Sequence, residues 1–228
     1  GRALSTEYSA SPGRLRRLLV GISGASGAIY GVRLLQVLQD VPDIETHLVM
    51  SPGARQTLTL ETDWKPREVE ALADVVYRFG DIAAAPSSGS FRMTGMVVAP
   101  CSMRSLSGIA NSADDNLLVR AADVTLKEHR RLVLLPRETP MHLGHLRLLV
   151  QVAEMGAIVA PPLPAFYQRP HSIEDIVDHT VLRVLDLFDI EPAEQLSRRW
   201  TGPDRAVSTD GATEHLLGDE YDPIDGAP

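Results

Sequence analysis

The sequence predicts an α/β fold: a three-layer sandwich in which helices cover both faces of a parallel, Rossmann-like sheet. Three observations carry this. Short apolar runs at 18–22, 96–99 and 132–135 do not alternate with polar residues, as expected of strands buried on both faces. Segments of helical spacing lie between them behind short loops, the pattern of parallel strands with crossover helices. The first run also breaks into Ser23-Gly24-Ala25-Ser26-Gly27 and then resumes with apolar residues at Ile29, Val32, Leu35 and Leu38.

That opening strand, turn and helix form an anion site. Glycines let the backbone turn tightly and approach a ligand, while free N–H groups and the helix dipole face the loop. A phosphate is the expected guest. A P-loop would close the turn with Lys-Ser/Thr, and no such pair is present. A dinucleotide site would have a third glycine and an acid after the second strand. Here Ser23 takes one glycine position, and the second strand ends in Ser51, whose hydroxyl can donate to a phosphate. The reading is therefore a mononucleotide.

The remaining elements follow in order. Residues 1–16 are polar and contain Ser9-Ala10-Ser11-Pro12-Gly13, so a disordered leader is expected. After a proline-containing turn at 40–43, residues 44–50 form strand two. A short helix at 54–60 is ended by the segment 61–66, and 75–79 is a candidate edge strand. Residues 80–94 form a loop rich in small residues, long enough to be functional or disordered. Strand 96–99 turns through Pro100-Cys101-Ser102 into a helix at 103–110, and 117–128 is an amphipathic helix. Strand 132–135 leads into Pro136-Arg137-Glu138-Thr139-Pro140, a helix at 141–154 and a short strand at 157–159. The last helix starts at Ser172, a good N-cap with Asp175 three residues on, and runs to about residue 189.

Composition narrows the class. The net charge is −8, and beyond Pro203 seven acids face the single cation Arg205, a net of −6 that leaves −2 for the rest. A near-neutral body with an acidic, flexible tail (203–228) is no nucleic-acid binder. The lone Cys101 excludes an internal disulfide and suits a reducing cytoplasm. No apolar stretch reaches the length of a membrane span. His142 and His145 lack the cysteine or carboxylate that would complete a zinc set, so no metal is expected.

Every distinctive loop follows a strand, and ligands bind off the carboxyl edge of such sheets. Lys127, Arg137, Arg120 and Arg183 lie near strand or helix ends, and with Tyr167 they are candidates to clamp a second, substrate phosphate. Glu138, in a Pro-bounded loop beside cations, reads equally as an ion-pair strut or a general acid/base. Trp200 reads equally as packing or as an aromatic wall for a cation.

Several stretches together resemble the UbiX flavin prenyltransferase family: 21–27 with Tyr30 and 33–35, then Glu61-Thr62-Asp63, Ser88-Gly89-Ser90, Pro100-Cys101-Ser102 and 116–127. Pro136-Arg137-Glu138-Thr139-Pro140, Phe166-Tyr167, Arg183 and Arg199-Trp200 continue the likeness in unbroken order over about 17–202, the expected flavin-binding domain. The resemblance implies a flavodoxin-like fold, a homo-dodecamer and bound FMN, with no metal. It implies transfer of a dimethylallyl group from dimethylallyl phosphate to N5 and C6 of reduced FMN, the product serving a partner decarboxylase. By the same resemblance Gly24, Ala25, Ser26, Ser51, Ser102, Met103, Arg104, Ser105 and Arg137 hold FMN. Lys127, Tyr167, Arg183, Arg120 and Trp200 grip the prenyl donor, while Glu138, Lys127, Glu61 and Ser90 take catalytic roles. Asp81-Ile82-Ala83 and Met141-His142-Leu143-Gly144 depart from the family pattern, which bears on the donor rather than the flavin. Competing readings are a cysteine-type FMN-dependent decarboxylase, whose Pro-Ala-Ser-Ala-Asn-Thr stretch is absent, and a non-catalytic FMN carrier.

Overall fold

A computed structural model of the protein describes residues 15–196. The strands are β1 (Arg16–Ile22), β2 (Ile44–Met50), β3 (Val75–Tyr77), β4 (Gly95–Cys101), β5 (Arg131–Pro136) and β6 (Ile158–Val159). They form one parallel sheet in the order β3-β2-β1-β4-β5-β6. The chain winds outward from β1 to β3, then crosses back so that β4 pairs with the other side of β1. This doubly wound order leaves a crevice at the carboxyl ends of β1 and β4, where the winding reverses. Without the three-residue edge strand β3, the order reduces to that of flavodoxin-like folds.

Successive residues of each strand feed opposite layers. Leu18, Val20 and Ile22 of β1 join Val97 and Ala99 of β4 in a core under α1 (Ala28–Gln39) and α7 (Ile173–Leu187). Leu19, Met96 and Val98 join the opposite core under α4 (Met103–Ala110), α5 (Leu117–Lys127) and α6 (Leu143–Glu154). The strands read as unbroken apolar runs because both faces are buried. Two short helices, α2 (Pro52–Glu61) and α3 (Pro66–Glu70), complete the first half. None of the helices among the described residues is long and apolar enough to cross a membrane.

Several boundaries differ from the expected ones, each for a local reason. β1 begins at Arg16, where the backbone N–H meets Asp43 O at 2.8 Å. β3 stops at Tyr77, since Phe79 O turns away to accept from Leu117 N at 2.8 Å. Pro66 starts a helix where a stop was expected: proline is well suited to the first helical position, and Glu68 returns to the Lys65 N–H at 2.8 Å. α6 starts at Leu143 because His142 Nδ1 caps it, accepting from His145 N at 3.2 Å. The 80–94 loop contains one 3₁₀ turn (Ala85–Ser87), buries Pro86 and is fastened by Arg130, as described below. α1 lies so close to β4 that a Cβ on Gly31 would stand 2.5 Å from Ala99 O.

Candidate active site

Four strand ends meet at the carboxyl edge, and the fully buried Ser23 links two of them. Its Oγ donates to Pro100 O at 2.7 Å and accepts from Ser102 N at 2.7 Å, tying the end of β1 to the end of β4. Ser51 N donates to Ile22 O at 3.0 Å, and Arg137 N donates to Cys101 O at 3.3 Å. The loops after β1, β2, β4 and β5 are thereby fixed side by side.

Each of these loops opens a helix, the one after β5 leading to α6. Gly27, left-handed at φ 102°, precedes α1. Ser51 caps α2 by accepting from Ala54 N at 3.0 Å, and Ser102 caps α4 by accepting from Ser105 N at 3.2 Å. Asn116 likewise caps α5, its Oδ1 accepting from Val119 N at 3.0 Å. Helix N-termini gathered in this way present N–H groups and positive dipole ends to an anion.

The termini of α2, α4 and α5 border a cleft of 640 Å³, lined by Gly24, Ser51, Gly53, Phe79, Ser102, Arg104, Ser105, Asn116 and Val119 among others. One wall is bare backbone: a Cβ on Gly24 would come to 3.1 Å of Gly53 Cα, and one on Gly53 to 3.3 Å of Gly24 Cα. Thr57 Oγ1 braces this wall by donating to Gly24 O at 3.1 Å. Next to the lining residues Ala113 and Asp115, Asp114 Oδ1 is buried without a hydrogen-bond partner. A phosphorylated ligand fits the amide-rich loops and the serine hydroxyls on this cleft. By contrast, a 530 Å³ hollow at the opposite edge, lined by His129, Arg130 and Arg131 with Asp189, has no helix start.

The expected flavin residues gather here. Gly24 and Ser26 are exposed and Ala25 half-buried in the first loop, and Arg104 is exposed on the cleft. Met103 is half-buried against the core beneath α4. Arg137 is exposed near Tyr30, whose phenol is pushed up by burial, with the Arg137 charge acting the other way. Glu61, the last residue of α2, reaches the turn and accepts from Gly27 N at 2.9 Å through Oε2. Glu138 is half-buried and accepts from Thr139 N at 3.1 Å. No ion pair to Glu138 occurs among the described residues.

Other expected residues stand apart. Arg120 is engaged by Asp114 at 2.8 Å and Asp123 at 3.5 Å. Lys127 ends α5, whose start lines the cleft, so the helix's 11 residues carry it about 16 Å toward the amino edge. Ser90 lies beside that helix end, its Oγ 2.9 Å from Ser88 Oγ. Tyr167 meets His179 edge-on at 6.0 Å, and Arg183, one turn along α7, pairs with Asp186. Trp200 falls outside the described residues.

Three contributors were not singled out from sequence: the bridging hydroxyl of Ser23, the close approach at Gly53 and the Asn116 cap. Asn116 had a readable signal, an Asn directly before an apolar periodic run. Cys101 is fully buried, and burial pushes its thiol up to about 12, so it is no nucleophile. His142 and His145 stack at 3.5 Å, and no group of three His, Cys, Asp or Glu able to hold a metal occurs among the described residues.

The fold and cleft define a doubly wound α/β protein built to hold a phosphorylated ligand at its switch point. A family model described as Flavoprotein matches residues 6–185. Flavin prenyltransferase UbiX of Escherichia coli (strain K12) is 65% identical over 188 residues, which span 82% of this chain and 100% of that protein. The chain belongs to the Flavoprotein family, among the UbiX flavin prenyltransferases. A crystal structure of AnUbiX (PadA1) in complex with FMN and dimethylallyl pyrophosphate is similar at a TM-score of 0.80 and 49% identity, covering 83% of this chain and 99% of that one. A dodecameric FMN-dependent UbiX-like decarboxylase from Escherichia coli O157:H7 gives 0.79 and 51%, covering 82% and 100%.

Proposed function

We propose that this protein is a flavin prenyltransferase that joins the dimethylallyl group of dimethylallyl phosphate to N5 and C6 of reduced FMN. The observation that carries the reading is the carboxyl-edge cleft. Its glycine wall and capped helix starts suit a phosphorylated ligand, in a chain 65% identical to a flavin prenyltransferase. Bound there, FMN supplies the nucleophilic ring atoms. Amides of Gly24, Ala25 and Ser26, the hydroxyls of Ser51, Ser102 and Ser105, the first turn of α4 at Met103 and Arg104, and Arg137 hold it.

The donor needs cations where charge grows on the departing phosphate, and an apolar or π-rich surround without water. Lys127, Arg120 and Arg183 are the cations of this reading, with Tyr167 and Trp200 as aromatic walls. Glu138 moves protons at the cleft mouth, and Glu61, already on the Gly27 amide, orients the turn. Ser90 lies by the flavin. Since Lys127 and Ser90 sit about 16 Å of helix away from the cleft lip, the site is completed by other copies of the chain in a homo-dodecamer. The product passes to a decarboxylase in a reducing cytoplasm.

The test is phosphate release by the full-length protein. Release should require both reduced FMN and dimethylallyl phosphate and fall ~100-fold or more in Lys127→Ala, which removes a donor to the leaving group. Co-assembled Lys127→Ala and Arg137→Ala chains should recover activity that neither variant has alone. No recovery would place the whole site within one chain, and release without flavin would overturn the reading.

A further inference from the structure

Lys127 and Ser90 are far apart in sequence, yet one contact joins the segments that carry them. The Lys127 Nζ donates to Glu128 Oε1 at 3.0 Å. The same carboxylate lies directly over Gly89: a Cβ there would stand 1.9 Å from Glu128 Oε1, 2.6 Å from its Cδ and 3.1 Å from its Cγ. Position 89 therefore tolerates no side chain while Glu128 keeps this place. From the other side, Arg130 donates to Gly89 O at 2.6 Å and Phe91 O at 3.0 Å. The turn 88–91 is thus gripped twice by the three residues that follow α5.

We infer that Glu128 is a positioning residue, which orients the Lys127 ammonium and, through its contact with Gly89, sets Ser90 in a fixed relation to it. The inference rests on the prenyltransferase reading above. Glu128 does not touch the reacting atoms; it makes Lys127 and Ser90 one rigid unit, delivered to a second copy's cleft. The backbone carbonyls held by Arg130 supply the other half of that rigidity. A catalytic ammonium left to wander on its four-carbon stem would meet the leaving phosphate in poor geometry, and misplacement of this kind is costly in rate.

The geometry specifies a double-mutant cycle. Gly89→Ala pushes the Glu128 carboxylate aside without altering its charge, and Glu128→Ala removes it. Each should lower kcat of the FMN-saturated, assembled enzyme on the order of 10- to 100-fold, with FMN affinity unchanged. Glu128→Gln, which still accepts from Lys127 and still covers Gly89, should recover most of the loss. In the Glu128→Ala background, Gly89→Ala should cost nothing further, because the clash is gone. A role in stability alone would instead lower FMN retention and the unfolding temperature and leave kcat of the loaded enzyme intact. Unchanged kcat in Glu128→Ala, or an undiminished Gly89→Ala cost beside it, overturns the inference. If Glu128→Ala fails to assemble, Gly89→Ala decides: full kcat there refutes the positioning role. Wild type that releases no phosphate from the donor defeats the functional reading itself, and the positioning role with it.

Discussion

Replacing Ser23 with alanine removes one buried oxygen and tests the carboxyl-edge construction directly. Its hydroxyl serves two groups, Pro100 O and Ser102 N, each at 2.7 Å. Pro100 O keeps a second donor, the Ser23 backbone N–H at 3.2 Å, so its loss is partial. Ser102 N has no such substitute and becomes an orphaned N–H at the start of α4. The donor is part-buried on the cleft wall, so leaving it without this partner costs about 1 kcal/mol, the low end of the 1–3 kcal/mol for a fully buried group, against the 5–15 kcal/mol that holds a typical domain together. The effect also reaches the ligand, because Ser102 is both the α4 cap and a wall of the cleft. Urea unfolding should show a lower midpoint with an unchanged slope, and fluorescence titration should show weaker FMN binding. A stability change inside ±0.5 kcal/mol, the range typical of plain surface substitutions, together with wild-type FMN affinity, would refute the hub role.

Three further outcomes are expected. Ser26→Asp places a negative charge against the phosphate loop and should abolish FMN retention through purification; undiminished affinity would remove the loop from the site. Gly31→Ala puts a Cβ 2.5 Å from Ala99 O, which forces α1 off β4 and should cost about 1–3 kcal/mol in chemical denaturation. His47 is 2% exposed, paired with Glu45 at 2.7 Å and the Tyr77 hydroxyl at 2.9 Å, and burial lowers its pKa against the pull of Glu45. The unfolded chain, near its ordinary value of about 6.5, then binds the proton more readily, so stability is full above that pH and falls as pH drops through it. His47→Gln should flatten the decline in unfolding midpoint between about pH 7 and pH 5.5; an unaltered slope would assign the decline to other groups.

What the sequence disclosed and what it hid follow physical lines. β1, β4 and β5 were legible because strands buried on both faces must be apolar throughout, and the turn at 23–27 because glycine there has a backbone reason. α3 was missed because proline serves both as helix stop and as first helical residue. Ser23 looked like a defect in a glycine motif, since its value lies in two groups 77 and 79 residues away. The split between Arg137 at one edge and Lys127 at the other was legible in principle, because in a parallel sheet a loop after a strand lies at the carboxyl edge and the end of a helix feeding a strand lies at the amino edge. Family resemblance named the residues of both edges without saying that one chain keeps them apart.

The most direct measurement of the central claim is a mass spectrum of the flavin released after anaerobic incubation of the full-length protein with reduced FMN and dimethylallyl phosphate. Flavin heavier than FMN by one five-carbon prenyl unit, formed only with both substrates present and missing in Lys127→Ala, is the result predicted. Recovery of unmodified FMN from a wild-type protein that binds both substrates would contradict it.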